Sequence, residues 1–322
     1  MKRNPEAIAG LIREAKTIAI CSHVNPDGDT LGCAAAMRLA LLRMKKEVSL
    51  FCDGKVPDQL AFLPGIGEMC IPTGREGPFD LLLAVDVSDE KRMGSCFKLI
   101  DRSSHTAQID HHPTNPLFME ENSVDGSAPA ACILIREQIA VLGIDLDQEI
   151  AVCLYTGIST DTGNFAFGST NAACFEIMGE LMNKGLPLAK LNRILFRERA
   201  RPQVQLMGRA LNSLRYYEDG RIAVMKLTRR DFTECGALSE HADTLVNFGL
   251  DTIGTRIAVL ARESDDGTIK LSLRAKEPDC VSDVAQSFGG GGHPQAAGIT
   301  TYGELDETTG RVLDALIRKL NG

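Results

Sequence analysis

The segment TIAICSHVNPDGDTL, from Thr17 to Leu31, indicates the fold class of the first half of the chain. It opens with an apolar run, Thr17 to Cys21, that predicts a buried strand, and a turn containing Pro26 and Gly28 follows. Beyond the turn, the apolar spacing from Leu31 to Met44 predicts a helix. A strand, a turn and a helix in this order form the first unit of an α/β fold.

The alternation of strand and helix continues through the first half of the chain. It predicts a mainly parallel sheet with helices on both of its faces. Further strands are predicted at Val48–Cys52, Leu81–Val85 and Ala107–Ile109, and further helices at Ala128–Leu142, Gln148–Ile158 and Ala172–Lys184.

The composition changes after Gly185. Between Arg193 and Arg230 ten basic residues stand against three acidic ones, and we interpret the start of this stretch as a linker. We therefore predict a first domain over residues 1–190, a linker over 191–215 and a second, smaller α/β domain over 216–322. The second domain has predicted strands at Arg221–Leu227, Thr255–Ala261 and Ile269–Leu273 and a closing helix at Leu305–Leu320.

Composition and charge exclude several classes of protein. With 44% hydrophobic and 24% charged residues in 322, the chain is globular and long enough for two cores. Its net charge of -8 argues against binding of long duplex nucleic acid, which needs many Lys and Arg contacts to phosphate. Glu6 and Glu14 interrupt the region where a signal peptide would be apolar, and no apolar run suits a bilayer helix. The ten scattered cysteines suggest reduced thiols, so we expect a cytoplasmic protein without membrane association.

Four short segments carry the acidic and imidazole side chains from which a function can be inferred. Three of them, SHVNPDGD, AVDVSD and QIDHHPTN, follow predicted strands, and the fourth is GISTDTGNF. Because parallel strands end at one edge of a sheet, we expect the side chains of the first three segments to converge there. These are His23, Asp27 and Asp29, then Asp86, then Asp110, His111 and His112, and the fourth segment adds Asp161.

Each segment alone has an ordinary structural explanation. Aspartate is a common turn and helix-capping residue, which accounts for Asp86 or Asp161 singly and for Asp29 or Thr30 as the cap of the following helix. A solvated loop would account for Asp110 and the two histidines after it. These explanations do not account for the segments together, because several carboxylates close to one another stay ionised only when cations are near.

The donor types predict the kind of metal. Carboxylates and imidazoles without cysteine favour Mn2+, with Mg2+ or Co2+ as substitutes, over a structural Zn2+ site. Six or seven ligands are too many for one ion and suit two ions, about 3.5 to 4 Å apart, that share a carboxylate. The sequence therefore predicts two-metal hydrolysis of a phosphate ester.

The second domain contains a glycine run, Gly289–Gly292, followed by His293. It matches neither the Walker nor the dinucleotide-binding pattern. A flexible loop is one interpretation, but the small residues Ala296, Ala297 and Gly298 favour a tight backbone cradle for a phosphate or a base.

An alternating strand pattern places Ser272 and Arg274 on one face, where arginine suits bidentate phosphate binding. A solvated strand face is the alternative interpretation. The aromatic residues Phe165, Phe167, Tyr216 and Tyr217 could stack on bases, but core packing is the more ordinary role, so they are not predicted as site residues.

In their order and spacing, the four segments resemble the DHH phosphoesterases, which are named for the triplet present here as Asp110, His111 and His112. IKLSLRAKE and VAQSFGGGGHPQAAG resemble the DHH-associated substrate-binding domain. With LMGRALNSL between the domains, the chain resembles the branch of bifunctional oligoribonucleases and pAp phosphatases, or nanoRNases. The resemblance runs from about Thr17 to the end.

The resemblance implies a role for each residue. Asp86 would bridge the two metals, His112 would face the scissile phosphate, and Asp110 would orient a ligand. One metal would be held by His23, Asp27 and Asp86, and the other by Asp29, Asp86, His111 and Asp161. In the second domain, substrate would be bound in the interdomain cleft by Ser272, Arg274, Gly290, Gly291, Gly292 and His293.

The implied activity is hydrolysis of short RNA or DNA oligonucleotides, from di- to pentanucleotides, or dephosphorylation of pAp to AMP, or both. A cyclic or linear dinucleotide phosphodiesterase, acting on c-di-AMP or pApA, is the main alternative. A RecJ-like single-strand exonuclease is less favoured for a short, acidic chain. A family II pyrophosphatase would lack the second-domain motifs, and a silent nucleotide-binding regulator would lack metal ligands. The sequence leaves a homodimer, the cleavage polarity and the preferred substrate open.

Overall fold

The computed structural model describes residues 2–321. The chain divides into two compact units between Glu198 and Arg199. The first unit is built on a five-stranded sheet and the second on a six-stranded sheet.

In the first unit, all neighbouring strands are parallel and lie in the order β2-β1-β3-β4-β5. The predicted α/β fold class is therefore confirmed. The strands are β1 (Thr17–Cys21), β2 (Glu47–Phe51), β3 (Phe79–Val85), β4 (Ser103–Asp110) and β5 (Glu121–Val124). The helices are α1 (Pro5–Glu14), α2 (Gly28–Arg43), α3 (Ala131–Val141), α4 (Gln148–Asp161), α5 (Ala172–Asn183) and α6 (Leu188–Asn192), with a π-helical turn at Arg193–Arg197.

Alternate residues of the strands pack into two different hydrophobic cores, one on each face of the sheet. On β3, Leu81 and Leu83 face the α-helices, whereas Leu82 and Ala84 pack with the 3-10 helical segment Glu90–Arg102 on the other face. Each fully buried leucine of this kind contributes about 1.5 to 3 kcal/mol. A sheet buried on both faces explains why β1 and most of β3 are continuous apolar runs.

The start of α2 differs from the sequence prediction. The helix begins at Gly28, and Asp27 is its N-cap, because the Asp27 carboxylate accepts hydrogen bonds from the amides of Asp29 (3.0 Å) and Thr30 (3.2 Å). The expectation that Asp29 or Thr30 caps the helix is wrong. The first turn is polar, so apolar spacing could not reveal it, and Asp29 lies inside this turn.

The second unit has one parallel pair, β7 with β8, in a sheet that is otherwise antiparallel and ordered β10-β11-β9-β8-β7-β6. Its core has one layer against α11 and another against α7. The helices are α7 (Arg201–Ser213), α8 (Arg229–Cys235), α9 (Val246–Leu250), α10 (Ser282–Ser287) and α11 (Leu305–Asn321). The strands are β6 (Arg215–Tyr217), β7 (Ile222–Leu227), β8 (Ile257–Glu263), β9 (Thr268–Ala275), β10 (Gly291–His293) and β11 (Ala296–Tyr302).

Two further properties concern the whole chain. Across residues 2–321, no helix combines the length and apolar content needed to cross a bilayer. All ten cysteines are free thiols, and most of them are buried.

Candidate metal centre

The acidic and imidazole residues of the first unit meet at the carboxyl edge of its sheet. The strand order changes direction between β1 and β3, since β1 leads to β2 on one side and β3 leads to β4 on the other. Such a switch point leaves a crevice beyond the strand ends, where ligands bind in open α/β sheets. His23 lies two residues beyond β1, Asp86 directly follows β3, and His111 directly follows β4.

One group of potential metal ligands is His23, Asp27 and Asp86. The His23 Nε2 atom is 3.5 Å from Asp27 Oδ2 and 3.5 Å from Asp86 Oδ2. On the other side of the ring, Nδ1 is 2.7 Å from the carbonyl oxygen of Val24. A carbonyl only accepts, so Nδ1 carries the hydrogen, and Nε2 of the neutral ring offers its lone pair to the group.

A second group is Asp29, His111 and Asp161. The His111 Nε2 atom is 3.3 Å from Asp161 Oδ2 and 3.9 Å from Asp29 Oδ2. Its Nδ1 donates to the carbonyl oxygen of Ala128 at 3.0 Å. Both histidines are therefore fixed by a backbone carbonyl in the tautomer that leaves Nε2 free to coordinate.

Asp86 lies between the two groups. Its Oδ2 faces His23, and its Oδ1 is 3.4 Å from His111 Nε2. Oδ1 is buried and accepts no hydrogen bond from any residue in the described range. The backbone of Asp86 is left-handed, with a φ of 57°, a conformation that is uncommon for residues other than glycine. Strain and an orphaned buried oxygen at one residue point to a function for that residue.

The first backbone amides of α3 donate hydrogen bonds to the carboxylate of Asp29. The amide of Ala131 donates to its Oδ2 at 2.5 Å, and the amide of Cys132 donates to its Oδ1 at 3.0 Å. Free amides and the positive end of the dipole at a helix N-terminus stabilise a carboxylate. No signal in the sequence links these residues to Asp29, which precedes them by about a hundred positions.

Asp161 reaches the site because α4 packs closely on α2. A Cβ atom at Gly28 would lie 2.3 Å from Thr160 Oγ1, and one at Gly157 would lie 2.4 Å from Asp29 Oδ1. Only glycine permits these approaches. Glycines on both helices thus bring Asp161, the last residue of α4, beside His111.

Asp110 and His112 form a separate pair beside the two groups. Asp110 is fully buried, and its Oδ1 is 2.8 Å from His112 Nδ1. Its Oδ2 accepts from Asn115 Nδ2 at 2.7 Å. The pair fixes Nδ1 of His112 toward Asp110, while Nδ1 is also 3.6 Å from Asp86 Oδ1. Sequence reasoning did not identify Asn115, although it lies in the QIDHHPTN segment, because an amide carries no charge.

The charges of the site shift the pKa values of its members. Burial raises the pKa of Asp86 well above its usual range, and the charge of Asp29 raises it further. Burial, with the charges of Asp29 and Asp27, raises the pKa of Asp161 to about 8. Burial alone would lower the pKa of His23, but its hydrogen bonds to Asp27 and Asp86 raise it to about 10. The side chains alone therefore balance their charges by holding protons, and divalent cations would replace these protons.

Oxygen and imidazole donors of this kind suit a divalent cation such as Mn2+. Two thiols lie next to Asp29, with Cys33 Sγ 3.7 Å from its Oδ1 and 3.5 Å from Cys132 Sγ. Burial raises the pKa of both thiols, so they remain protonated. Protonated thiols are poor ligands, which leaves the carboxylates and imidazoles as the metal donors.

In the second unit, the predicted substrate-binding side chains share one face of the sheet. Arg274 on β9 is opposite Ala296 on β11, which is opposite His293 on β10. Ser272 lies two residues from Arg274 and therefore on the same face. Ser272 and Arg274 are partly buried, and His293 is exposed.

The glycine run is part of a hairpin rather than an irregular loop. A Cβ atom added at Gly290 would lie 2.1 Å from the carbonyl oxygen of Gly298. A Cβ atom added at Gly292 would lie 2.4 Å from the carbonyl oxygen of Ala296. The close approach of the neighbouring backbone therefore requires glycine at both positions. At Gly291 nothing lies within 4 Å of the Cβ position, so this residue leaves room for a ligand.

Two known domain families match the chain. The model described as DHH family, N-terminal domain, matches residues 17–158, and the model described as DHHA1 domain matches residues 219–322. A protein of Thermus thermophilus named bifunctional oligoribonuclease and PAP phosphatase NrnA is 33% identical over 94% of this chain and 90% of its own length.

Two solved structures show the same architecture. An exopolyphosphatase-related protein from Bacteroides fragilis superposes with a TM-score of 0.90 at 25% identity, over 98% of this chain and 95% of the other. RecJ from Thermus thermophilus, in complex with Mn2+, superposes with a TM-score of 0.54 at 14% identity, over 98% of this chain and 55% of the other. The RecJ comparison concerns the fold alone.

Proposed function

The chain belongs to the DHH family of phosphoesterases, and from this premise we propose that it hydrolyses short oligoribonucleotides to mononucleotides and removes a phosphate from pAp. Support comes from a relative that bears the name of both activities and aligns along almost the whole of both chains. Matches to DHH and DHHA1 models in their order along the chain add to it.

The observation that carries the proposal is the position of Asp86. Its two oxygens face two separate groups of ligands, one containing His23 and the other containing His111. This arrangement suits two divalent ions that share one carboxylate. We assign His23, Asp27 and Asp86 to one ion and Asp29, Asp86, His111 and Asp161 to the other, with Mn2+ as the proposed metal and Mg2+ or Co2+ as substitutes.

When bound, such ions lower the pKa of water and offset the negative charge of phosphoryl oxygens. The residues of the chain supply the positioning. The Val24 and Ala128 carbonyls fix the two histidine rings, and the first turn of α3 fixes Asp29. A site organised before substrate arrives loses little free energy to rearrangement during the reaction.

His112 is the proposed residue for the scissile phosphate. Because Asp110 engages Nδ1, the ring nitrogen left for substrate is Nε2. The side chain of His112 is partly exposed, whereas Asp110 is fully buried. Because Nδ1–H is donated to Asp110, Nε2 would donate a hydrogen bond to a phosphoryl oxygen, or a proton to the leaving oxygen, only from the doubly protonated ring. The Asp110 carboxylate would stabilise the positive charge of that imidazolium.

In the second unit, Arg274, Ser272 and His293 are proposed to bind the rest of the substrate. Their shared sheet face, next to the open position at Gly291, supports this assignment. A guanidinium forms two parallel hydrogen bonds to a phosphate, which suits Arg274 to a terminal phosphate.

The experiment that tests the function compares four substrates with Mn2+ and with Mg2+. These are pAp, a 5'-phosphorylated dinucleotide, a long single strand and pyrophosphate. We expect turnover of the first two and little or none of the others. Preferential degradation of the long strand would instead favour an exonuclease, and turnover of pyrophosphate alone would contradict the proposal.

A further inference from the structure

The turn that follows Asp161 ends at an aromatic ring that remains in solvent. Phe167 is 59% exposed, whereas the ring of Phe165, two residues earlier, is partly buried and packs on Phe175 with centroids 5.6 Å apart. A single exposed apolar side chain is ordinary in folded proteins, so exposure alone assigns no role. The informative features are the position of the ring after Asp161 and the fixed backbone that carries it.

The backbone of this turn has a fixed and unusual shape. Gly163, Asn164 and Phe165 are consecutive left-handed residues with φ of 56°, 57° and 65°. This conformation is an outlier for a bulky residue such as phenylalanine. The amide of Phe167 donates to the carbonyl oxygen of Thr162 at 3.0 Å, which closes the turn. The backbone that carries Phe167 is thus fixed before any ligand binds.

The turn brings the ring back to the backbone that follows Asp161. A Cβ atom on Gly163 would lie 2.4 Å from two ring atoms of Phe167, so the ring lies directly against the Gly163 backbone. Gly163 follows Asp161 by two residues, which limits the distance between their Cα atoms to about 7.6 Å. An exposed aromatic surface therefore stands next to a proposed metal ligand.

The chemistry of the segment indicates what this surface binds. From Thr162 to Phe175 there is no Lys, Arg, Asp or Glu, so the segment has no charged side chain with which to bind a phosphate. An uncharged, planar group is the matching ligand, and every nucleobase offers one. In a nucleotide with its phosphate at the metal centre, a base lies only one ribose away.

We propose that Phe167 is the platform on which one nucleobase of the substrate stacks. This inference rests on the proposed function and adds a specificity residue that acts on the base rather than on the phosphate. It explains how a site built for phosphate would prefer nucleotides over other phosphate esters.

The test uses the full-length, metal-loaded protein and three substrates. These are a 5'-phosphorylated diadenosine dinucleotide and two analogues of it, each lacking one of the two bases. The variants are Phe167→Ala, Phe167→Leu, Phe167→Tyr and the control Phe97→Ala, which removes an exposed phenylalanine from the 3-10 helical segment on the other face of the sheet. Phe167→Leu retains an apolar side chain without an aromatic face, and it serves as the test variant if the alanine variant does not fold.

We expect Phe167→Ala and Phe167→Leu to raise the KM for the intact dinucleotide roughly tenfold to a hundredfold, the range that loss of one base stack predicts. The same change should appear with the analogue that keeps the stacked base and be absent with the analogue that lacks it. Phe167→Tyr should restore the KM, and Phe97→Ala should leave the KM of all three substrates unchanged.

Two results would overturn the inference. An equal fractional loss on all three substrates would mean that Phe167 only supports the turn at Asp161, and no loss on any of them would mean that the ring touches no substrate. Both results are read relative to a wild-type protein that cleaves the dinucleotide. If the wild-type protein cleaves none of the three compounds, the proposed function itself fails, and the platform fails with it.

Discussion

Asn115 is the residue on which the orientation of His112 depends. Its Nδ2 donates to Asp110 Oδ2 at 2.7 Å and to the Val87 carbonyl oxygen at 3.0 Å, and its Oδ1 accepts from Gln108 Nε2 at 3.0 Å. Asp110 in turn holds Nδ1 of His112. A polar network of this kind keeps a functional ring in one tautomer, because each member has a partner that fixes it.

We predict that Asn115→Ala lowers kcat about 10- to 100-fold, the usual cost of removing a group that orients a functional residue. Bound metal should stay at the wild-type level, since the side chain of Asn115 hydrogen-bonds to Asp110 rather than to a proposed metal ligand. Steady-state kinetics and metal analysis of the purified variant measure both quantities. The control is Asn183→Ala, an exposed asparagine at the end of α5. Unchanged kcat, or loss of metal with kcat, would contradict this role.

Among the elements, α4 carries the proposed ligand Asp161 at its last residue, and its first turn is capped by Asp147. The Asp147 carboxylate accepts from the amide of Ile150 at 3.0 Å and pairs with Arg43 on α2. Burial raises the pKa of Asp147, but Arg43 and the helix amides outweigh burial and lower it overall. Asp147 thus stabilises α4 when its carboxylate is ionised.

Asp147→Ala should lower the free energy of unfolding by about 0.5 to 2 kcal/mol, the typical cost of losing an N-cap. Because the folded-state pKa is lowered, this contribution is present above the unfolded-state pKa and is lost as the pH falls through the folded-state value. Urea unfolding of wild type and variant at neutral and acidic pH measures it, with Asp145→Ala, an exposed neighbour, as the control. A difference that grows toward acid pH would refute this assignment.

The elements also show what a sequence can and cannot reveal. The buried strands β1 and β3 were predictable because both of their faces are apolar. β5 was not, because Glu121–Val124 reads ENSV and has one strong β-former at most. α1 was not predicted, although Pro5 in its first turn is a helix-start signal.

The candidate site, too, could be predicted only in part from the sequence. The order of segments along the strands predicted that His23, Asp86 and His111 converge, because parallel strands share an edge. It could not show that Asp161 joins them, since this depends on glycines that let α4 approach α2. Nor could it show Asn115 or the turn that places Phe167, because neither depends on charge or periodicity.

At the scale of the whole molecule, the two units are proposed to divide the work between chemistry and substrate binding. The proposed metal ligands all lie in the first unit, and the face bearing Ser272, Arg274 and His293 lies in the second. Binding energy from parts of a substrate distant from the reacting bond raises its specificity constant. A division of this kind should therefore separate effects on short oligonucleotides from effects on simple esters.

Arg274→Ala should raise the KM for a 5'-phosphorylated dinucleotide roughly 10- to 100-fold, because a charged hydrogen-bonding group is lost from the phosphate. The KM for bis-p-nitrophenyl phosphate, which has no second phosphate to bind, should change far less. Lys270→Ala, on the same strand and the same face, is the matched control. Equal losses on both substrates would show that Arg274 acts on folding or on the centre itself.

The central claim is that the carboxylate of Asp86 is shared by two divalent ions. Crystals grown with Mn2+ and measured at the manganese absorption edge test it most directly. We expect two anomalous peaks about 3.5 to 4 Å apart, one on each side of Asp86, and the loss of both in crystals of Asp86→Ala. A single peak, or two peaks that persist at full height without this carboxylate, would contradict it.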